Sequence, residues 1–418
     1  MSVTVTKNPG QGNAPFFSSG QISFSQLRNY FTDDQSGFGS QISASQLRRD
    51  TDVSRENPIV PDSTENSQIS TGSNLSLSQF RNSIKRYVAT QSGTDTNSSY
   101  PDQPGFRMGL LDPNGRGIDW SGGGYYGKDG QGGNPGWQSG NATQSNLGRN
   151  VQKGIMITGT CGSLYGPTPG NGRPAAQLNP AIRVHNIRID VSGSILGYGG
   201  SGGTVTGGDG EDGGVALVFG NVGYNNRVRV GSGARIYGGG GGGEKGRTGN
   251  NGSSARCVRS ETFRSGCQQG SNSCPGGWNQ TGSWNHCCRT RRGCAANHWY
   301  KVCEQSYDTS TPIGGIGGNG GRGRGYNNQS GPDNGSSGGS GSCPSCNGGY
   351  SQQGGSCAQN GETGGRGGDW GQNGGETGGS GRSGRGGYAI AAWDGRYDVY
   401  GTVNSSTVRG SLYGVVTR

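Results

Sequence analysis

The chain has 418 residues, of which 92 are glycine, 16 are proline and 27% are apolar; its formal charge is +10 and its pI is about 9.1. Glycine at roughly three times its usual share, with so little apolar material, excludes a large aliphatic core. It also excludes collagen, whose Gly-X-Y register is strict and proline-rich, and no stretch approaches the ~20 apolar residues of a membrane-spanning helix.

The N-terminus, Met1 to Pro9, holds no apolar h-region, which predicts synthesis in the cytoplasm without a secretory signal. Residues 1–105 carry one motif three times: Ile22-Ser-Phe-Ser-Gln-Leu-Arg28, Ile42-Ser-Ala-Ser-Gln-Leu-Arg48 and Leu75-Ser-Leu-Ser-Gln-Phe-Arg81. Each Ser-x-x-Gln is a capping box, in which the serine oxygen takes an orphan amide and the glutamine reaches back. Each repeat therefore reads as a short extended piece entering a short helix, the third being longest, Gln79 to about Val88. Two arrangements fit. The repeats are surface helices of one small domain, or they are separate pegs whose Ile22, Leu27, Ile42, Leu47, Leu75 and Phe80 dock on copies of one acceptor surface.

Residues 106–240 read as a β-rich shoulder. Within it, Gly122-x4-Gly127-Lys128 imitates a phosphate loop, but Asp129 stands where Ser or Thr should hold magnesium. Ile182 to Val191 alternates as a strand, placing His185 in a structural pattern, and leads through Ser192-Gly193 to Ser194-Ile-Leu-Gly-Tyr-Gly-Gly200. Arg227 to Gly239 repeats the same order, Val215 to Phe219 is a short buried-type run, and Val403 to Gly414 is a weaker echo. Strand, tight turn, strand, then glycine tract is a recurring unit.

Residues 241–387 are glycine-rich, with a cysteine-dense insertion at 255–310, and 388–418 reads as a C-terminal β segment. Glycines here keep a beat of three, clearest in Gly314-Gly-Ile-Gly-Gly-Asn-Gly-Gly-Arg-Gly323. Three is the period of the extended left-handed helix without internal hydrogen bonds. Its amides must then bond to neighbouring helices, and absent Cβ atoms let backbones approach. The expected fold is mostly irregular and all-β: small β layers plus a sandwich of polyglycine II helices, with short helices near the N-terminus. Ile313 and Ile316 are expected to face inward, Arg322 and Arg366 outward.

Ten of eleven cysteines lie between 257 and 357: Cys257, Cys267, Cys274, Cys287, Cys288, Cys294, Cys303, Cys343, Cys346 and Cys357. They suit up to five disulfides of unreadable pairing, leaving Cys161 as a free thiol. Zinc is the rival, since Cys343-x2-Cys346 has ligand spacing and His286 and His298 lie near cysteines. No other cofactor is expected. Residues 241–310 hold nine basic against four acidic side chains, which favours an anionic partner. Trp278, Trp284, Trp299, Tyr300 and Tyr307, with Arg289, Arg291 and Arg292, have the composition of a binding hot spot. Alternatively these aromatics are the small core of the insertion.

β segments feeding glycine tracts, with variable loops between, resemble the distal tail-fibre adhesins of T-even-type bacteriophages, over roughly residues 190–415. The N-terminal repeats resemble short segments of tailed-phage structural proteins. The resemblance implies a non-enzymatic virion protein of a tail fibre or baseplate, released by lysis, whose loops contact a host receptor. The partners it implies are tail or baseplate proteins through residues 1–105, and a host glycan, lipopolysaccharide or outer-membrane protein. It implies neither nucleic-acid binding nor membrane insertion. Competing classes are a tailspike-like glycan depolymerase, a polyglycine-bundle ice-binding or matrix protein, and a disordered arginine-glycine RNA binder.

Overall fold

A computed structural model describes residues 2–5, 16, 19–32, 42–48, 60, 66–83, 86–96, 105–108, 152–165, 173–178, 187–204, 208–219, 227–264, 274–290, 293–378, 381–392 and 397–417. The phosphate-loop-like stretch at 122–129 and His185 lie outside them. The described chain is mostly β, in parallel and antiparallel sheets, with one α-helix, α1 (Phe24–Thr32). No helix is long and apolar enough to cross a membrane among the described residues.

Strand β1 (Ser2–Val5) pairs antiparallel with β2 (Arg86–Ser92), and from β2 onward the chain winds in coils. The first coil is β2, β3 (Thr94–Thr96) and β4 (Phe106–Met108). The second is β5 (Gln152–Ile157), β6 (Thr160–Gly162) and β7 (Ala176–Leu178). The third is β8 (Ile187–Val191), β9 (Ser194–Leu196) and β10 (Leu217–Phe219). The fourth begins with β11 (Arg227–Val230) and β12 (Arg235–Tyr237). It then leaves on a long excursion bearing β13 (Arg256–Arg264), β14 (Asn279–Thr290), β15 (Gly293–Asp308) and β16 (Ser351–Gln353). It returns as β17 (Ile390–Ala392). The fifth is β18 (Tyr397–Gly401), β19 (Val408–Arg409) and β20 (Leu412–Tyr413), and β21 (Val415–Thr417) starts a sixth.

Each coil gives one strand to each of three sheets, ordered β2-β5-β8-β11-β18-β21, β3-β6-β9-β12-β19 and β4-β7-β10-β17-β20, all parallel. This is a three-sided parallel β-helix. The recurring unit read in the sequence is the corner between its first two sheets at β8 to β9 and β11 to β12; the weaker echo, Val403 to Gly414, instead holds β19 and β20, which belong to the second and third sheets. Its interior holds Ile155, Ile189, Val228 and Val399 from the first sheet, with Ile195, Ile236, Leu217, Phe219 and Ile390 from the others. Phe219 stacks on Tyr397 with ring centroids 4.2 Å apart. The C-terminal strands therefore complete the same three sheets as residues 86–237.

Apart from the sheet of β13 to β16, the excursion folds as a second layer without regular strands. Gly240, Gly243, Gly246, Gly249 and Gly252 donate backbone N–H bonds of 2.7–3.0 Å to the carbonyls of Arg324, Gly321, Gly318, Gly315 and Pro312. Donors advance by three while acceptors retreat by three, so the two segments run antiparallel. Gly315, Gly318, Gly321 and Arg324 donate in turn to Gln359, Glu362, Gly365 and Gly368, and Gly368, Gly365, Glu362 and Gln359 donate back to Gly241, Glu244, Arg247 and Asn250. Three segments thus close a ring of lateral bonds, and residues 197–203, 208–214, 333–342, 371–375 and 381–387 join it by the same kind of bond. Contact is backbone on backbone: a Cβ built on Gly240 would lie 2.0 Å from Gly368 O. Ile313, Ile316, Arg322 and Arg366 all point to solvent, Ile313 being 72% exposed. The arginines stand as expected, but the isoleucines do not. Facing backbones leave no room for a Cβ at the glycine places, so Ile313 and Ile316 turn outward despite their polarity, whereas Glu244 is buried and accepts the Thr377 amide at 2.7 Å.

The bundle is fused to the β-helix through Tyr237, Trp370, Leu196 and Tyr326. Tyr237 and Trp370 are 5.4 Å apart, Arg324 sits 5.5 Å over Trp370, and Arg324 pairs with Asp369 at 3.2 Å.

In the N-terminal part all three capping boxes form. The Ser23, Ser43 and Ser76 amides donate to Gln26, Gln46 and Gln79 Oε1 at 2.8, 2.8 and 3.1 Å. The helices themselves differ from expectation. The first repeat carries α1, the second is a turn, and the third is a 3-10 turn, Leu77–Phe80. The chain from Arg86 is committed to β2, which shortens the third. Leu27, Leu47 and Phe80 are fully buried together with Phe16, Phe31, Val60 and Ile69, while Ile22 is buried and Ile42 and Leu75 pack against them. Ile22, Leu27, Leu47 and Phe80 thus share one core, with Ile42 and Leu75 half-buried at its edge, which is the arrangement of one small domain.

Candidate functional site

The cysteine-rich insertion is a four-stranded antiparallel sheet ordered β14-β15-β13-β16. Its outline, Arg256 to Asp308, falls inside the expected 255–310, and β16 is added from the later loop. The β14–β15 hairpin is long; at about 3.4 Å per residue, twelve residues of β14 reach roughly 40 Å. The neck is narrow: Thr309 N–H donates to Ala255 O at 2.8 Å, and Ala255 N–H to Thr309 Oγ1 at 2.8 Å.

An isolated hairpin of polar residues is marginal, and covalent links supply what the core lacks. Cys257 joins Cys346, Cys274 joins Cys303, and Cys343 joins Cys357. Cys343 and Cys346, the pair with metal-ligand spacing, thus belong to two different disulfides. Of the remaining cysteines, Cys267 lies outside the described residues. Cys287, Cys288 and Cys294 are placed by backbone alone, with Cys287 opposite Asn297, Cys288 opposite Ala296 and Cys294 opposite Arg289. His286 stands opposite His298 in the same ladder.

The candidate contact residues divide by position. Trp278 and Tyr307 brace the base: Trp278 meets Phe263 edge-on at 5.6 Å beneath the Arg259 guanidinium, which is 5.8 Å away and paired with Glu261. Tyr307 packs against Tyr350 at 5.0 Å and accepts the Asn347 amide at 2.7 Å. Trp284 stands opposite Tyr300 and Trp299 opposite Asn285, midway along the hairpin, with Arg289 near its turn. Arg291 and Arg292 lie outside the described residues.

Concavities elsewhere among the described residues include two of note. One, of about 220 Å³, sits on the β-helix beside Met156, Asp190 and Arg229, where Asp190 is tied to Arg188 at 3.2 Å and to Arg229 at 4.0 Å. The other, of about 340 Å³, crosses the glycine bundle beside Asn319, Arg322, Asp333 and Asn334. Sequence reading passed over this second one. Its only signal was polar residues at every third place of the tract. Next to it Tyr198 is half-buried and its hydroxyl contacts Ser201 Oγ at 3.0 Å; burial raises its pKa, and the Glu211 carboxylate adds to the rise. Cys161 is the free thiol expected, fully buried in the β-helix, with its pKa pushed well up by burial and then by the charge of Asp95.

No family model matches the chain, and no curated protein or solved structure matches it.

Proposed function

We propose that the chain is a non-enzymatic adhesin of a bacteriophage tail fibre or baseplate, located in the virion, whose glycine tracts are polyglycine II helices. The observation that carries this reading is the three-residue ladder of lateral backbone bonds, from which a long hairpin projects on a narrow neck. A scaffold held by lateral backbone bonds depends little on what its loops carry, which suits a protein that presents variable contacts on a fixed frame. The hairpin offers Trp284, Trp299, Tyr300 and Arg289 to a host surface glycan, lipopolysaccharide or outer-membrane protein. Residues 1–105 join the other tail or baseplate proteins. They include β2 and β3 of the first coil, so attachment lies at one end of the coil stack.

The glycan-depolymerase alternative calls for two carboxylates across a groove. The test is to replace residues 256–308 by a short linker at the bonded neck, with Cys346 changed to serine. The reading expects assembly to persist and adsorption to be lost. Normal adsorption of such particles, or shortened chains after incubating the protein with host polysaccharide, would count against it.

A further inference from the structure

We infer a second binding site, for an uncharged pyranose unit of a surface glycan, in the groove across the face of the glycine bundle. The inference deepens the adhesin reading and rests on it for the source of the sugar. Its volume, about 340 Å³, is at the low end of the roughly 300–1,000 Å³ of small-ligand sites, which leaves room for a sugar ring.

The floor is closed and chemically spent. Gly320 N–H donates to Gly203 O at 2.9 Å, Asp333 N–H to Arg322 O at 2.8 Å and Ser336 N–H to Asn319 O at 2.8 Å. Backbones there touch so closely that a Cβ on Gly202 would lie 1.9 Å from Gly320 O. Nothing rises from the floor to block a flat ring.

The walls are the reverse. Asn319, Arg322, Asp333 and Asn334 are all exposed and line the groove. Their terminal groups make no hydrogen bond or ion pair among the described residues, although the Asn319 and Asp333 amides are bonded. Arg322 and Asp333 in particular share the groove without pairing to each other; the ion pair of this layer is Arg324 with Asp369. The groove thus presents a fixed fork of donors, a carboxylate with two acceptor oxygens, and two amides that do both. Neighbouring hydroxyls of a pyranose need that combination, because each donates one bond and accepts others. A phosphate or sulfate would gain from Arg322 but meet Asp333 as a like charge, so the balance selects a neutral ring. Asn319 and Arg322 stand three residues apart on one segment, as Asp333 and Ser336 do on the facing one, a step that suits a repeating polymer.

The experiment is ligand-observed saturation-transfer NMR on the full oxidised chain with methyl glycosides of glucose, galactose and mannose, and with inorganic phosphate as the charged probe. Wild type should show transfer to at least one hexoside and none that phosphate displaces. Arg322→Ala and Asp333→Asn, both surface changes, should each weaken that binding about tenfold or more, as loss of a charge-assisted hydrogen bond does, with unchanged thermal melting. A hexoside signal absent from wild type, undiminished in the two variants, or displaced by phosphate overturns the site. Mass spectrometry of purified virions judges the adhesin reading separately. Hexoside binding by a chain absent from virions sinks that reading and keeps the groove; a virion chain that binds no hexoside does the opposite.

Discussion

Gly243→Ala should destabilise the bundle severely, whereas Gly339→Ala, one segment away, should not. A Cβ on Gly243 would lie 2.0 Å from Gly365 O, a backbone atom that cannot rotate aside. That carbonyl must retreat by more than about 1 Å before the contact is tolerable. It is also the acceptor of the Gly321 N–H at 2.8 Å; Gly321 O accepts from Gly243 at 2.8 Å, and Gly243 O accepts from Gly203 at 2.9 Å. Breaking two of these buried bonds at about 1–3 kcal/mol each, with loss of packing, gives a cost of roughly 3–6 kcal/mol. At Gly339 the added carbon meets only Ile316 N at 3.4 Å and Ile316 O at 3.5 Å. There alanine is neutral or stabilises by about 0.4–1 kcal/mol through the unfolded chain. Guanidinium unfolding of the two oxidised variants should separate their midpoints clearly, Gly339→Ala at or above wild type. Coincident midpoints would refute the claim that close backbone contact holds this layer together.

Leu47→Ala should cost about 2–5 kcal/mol, read as earlier melting of the N-terminal module, because Leu47 lies in a shared core; free pegs would show no change. Cys257→Ser opens the 89-residue loop to Cys346 and should lose roughly 4–5 kcal/mol on the chain-entropy model, with proteolysis appearing in the hairpin sheet while the β-helix resists. The Cys161 thiol has a folded pKa above its unfolded value. Its contribution is therefore complete below roughly pH 8.5 and is lost as pH rises toward the folded value. Wild type should lose stability between about pH 8 and 10 more steeply than Cys161→Ala, and alkylation of native protein at neutral pH should spare Cys161.

Local signals in the sequence were legible and long-range ones were not. The capping boxes at Ser23, Ser43 and Ser76 form because their partners lie three residues away. The beat of three in the glycine tracts reappears as the step of the lateral bonds. Strands β13 to β15 fall within 255–310, the stretch whose cysteine-rich composition sets it apart from the glycine tracts on either side. The β-helix was hidden because its coils are unequal. Successive first strands begin at Arg86, Gln152, Ile187, Arg227 and Tyr397, so no fixed period exists to be found. Only the short β8–β9 and β11–β12 corners betrayed it. Ile313 and Ile316 were misread because burial was assumed to follow hydrophobicity, whereas here it follows the absence of Cβ. Cys343 and Cys346 looked like metal ligands because spacing alone does not reveal that Cys257 and Cys357 stand across from them. The groove was illegible because Arg322 and Asp333 meet only through antiparallel packing of 313–322 on 333–342.

Residue-resolved amide hydrogen exchange across residues 312–324 tests the central claim most directly. Gly315, Gly318, Gly321 and Arg324 donate within the bundle, whereas the Ile316 and Arg322 amides have no acceptor there. The account predicts slow exchange at the first four and fast exchange at the other two, a protection pattern repeating every three residues. Uniformly fast exchange, as in a free glycine-rich peptide, would contradict it.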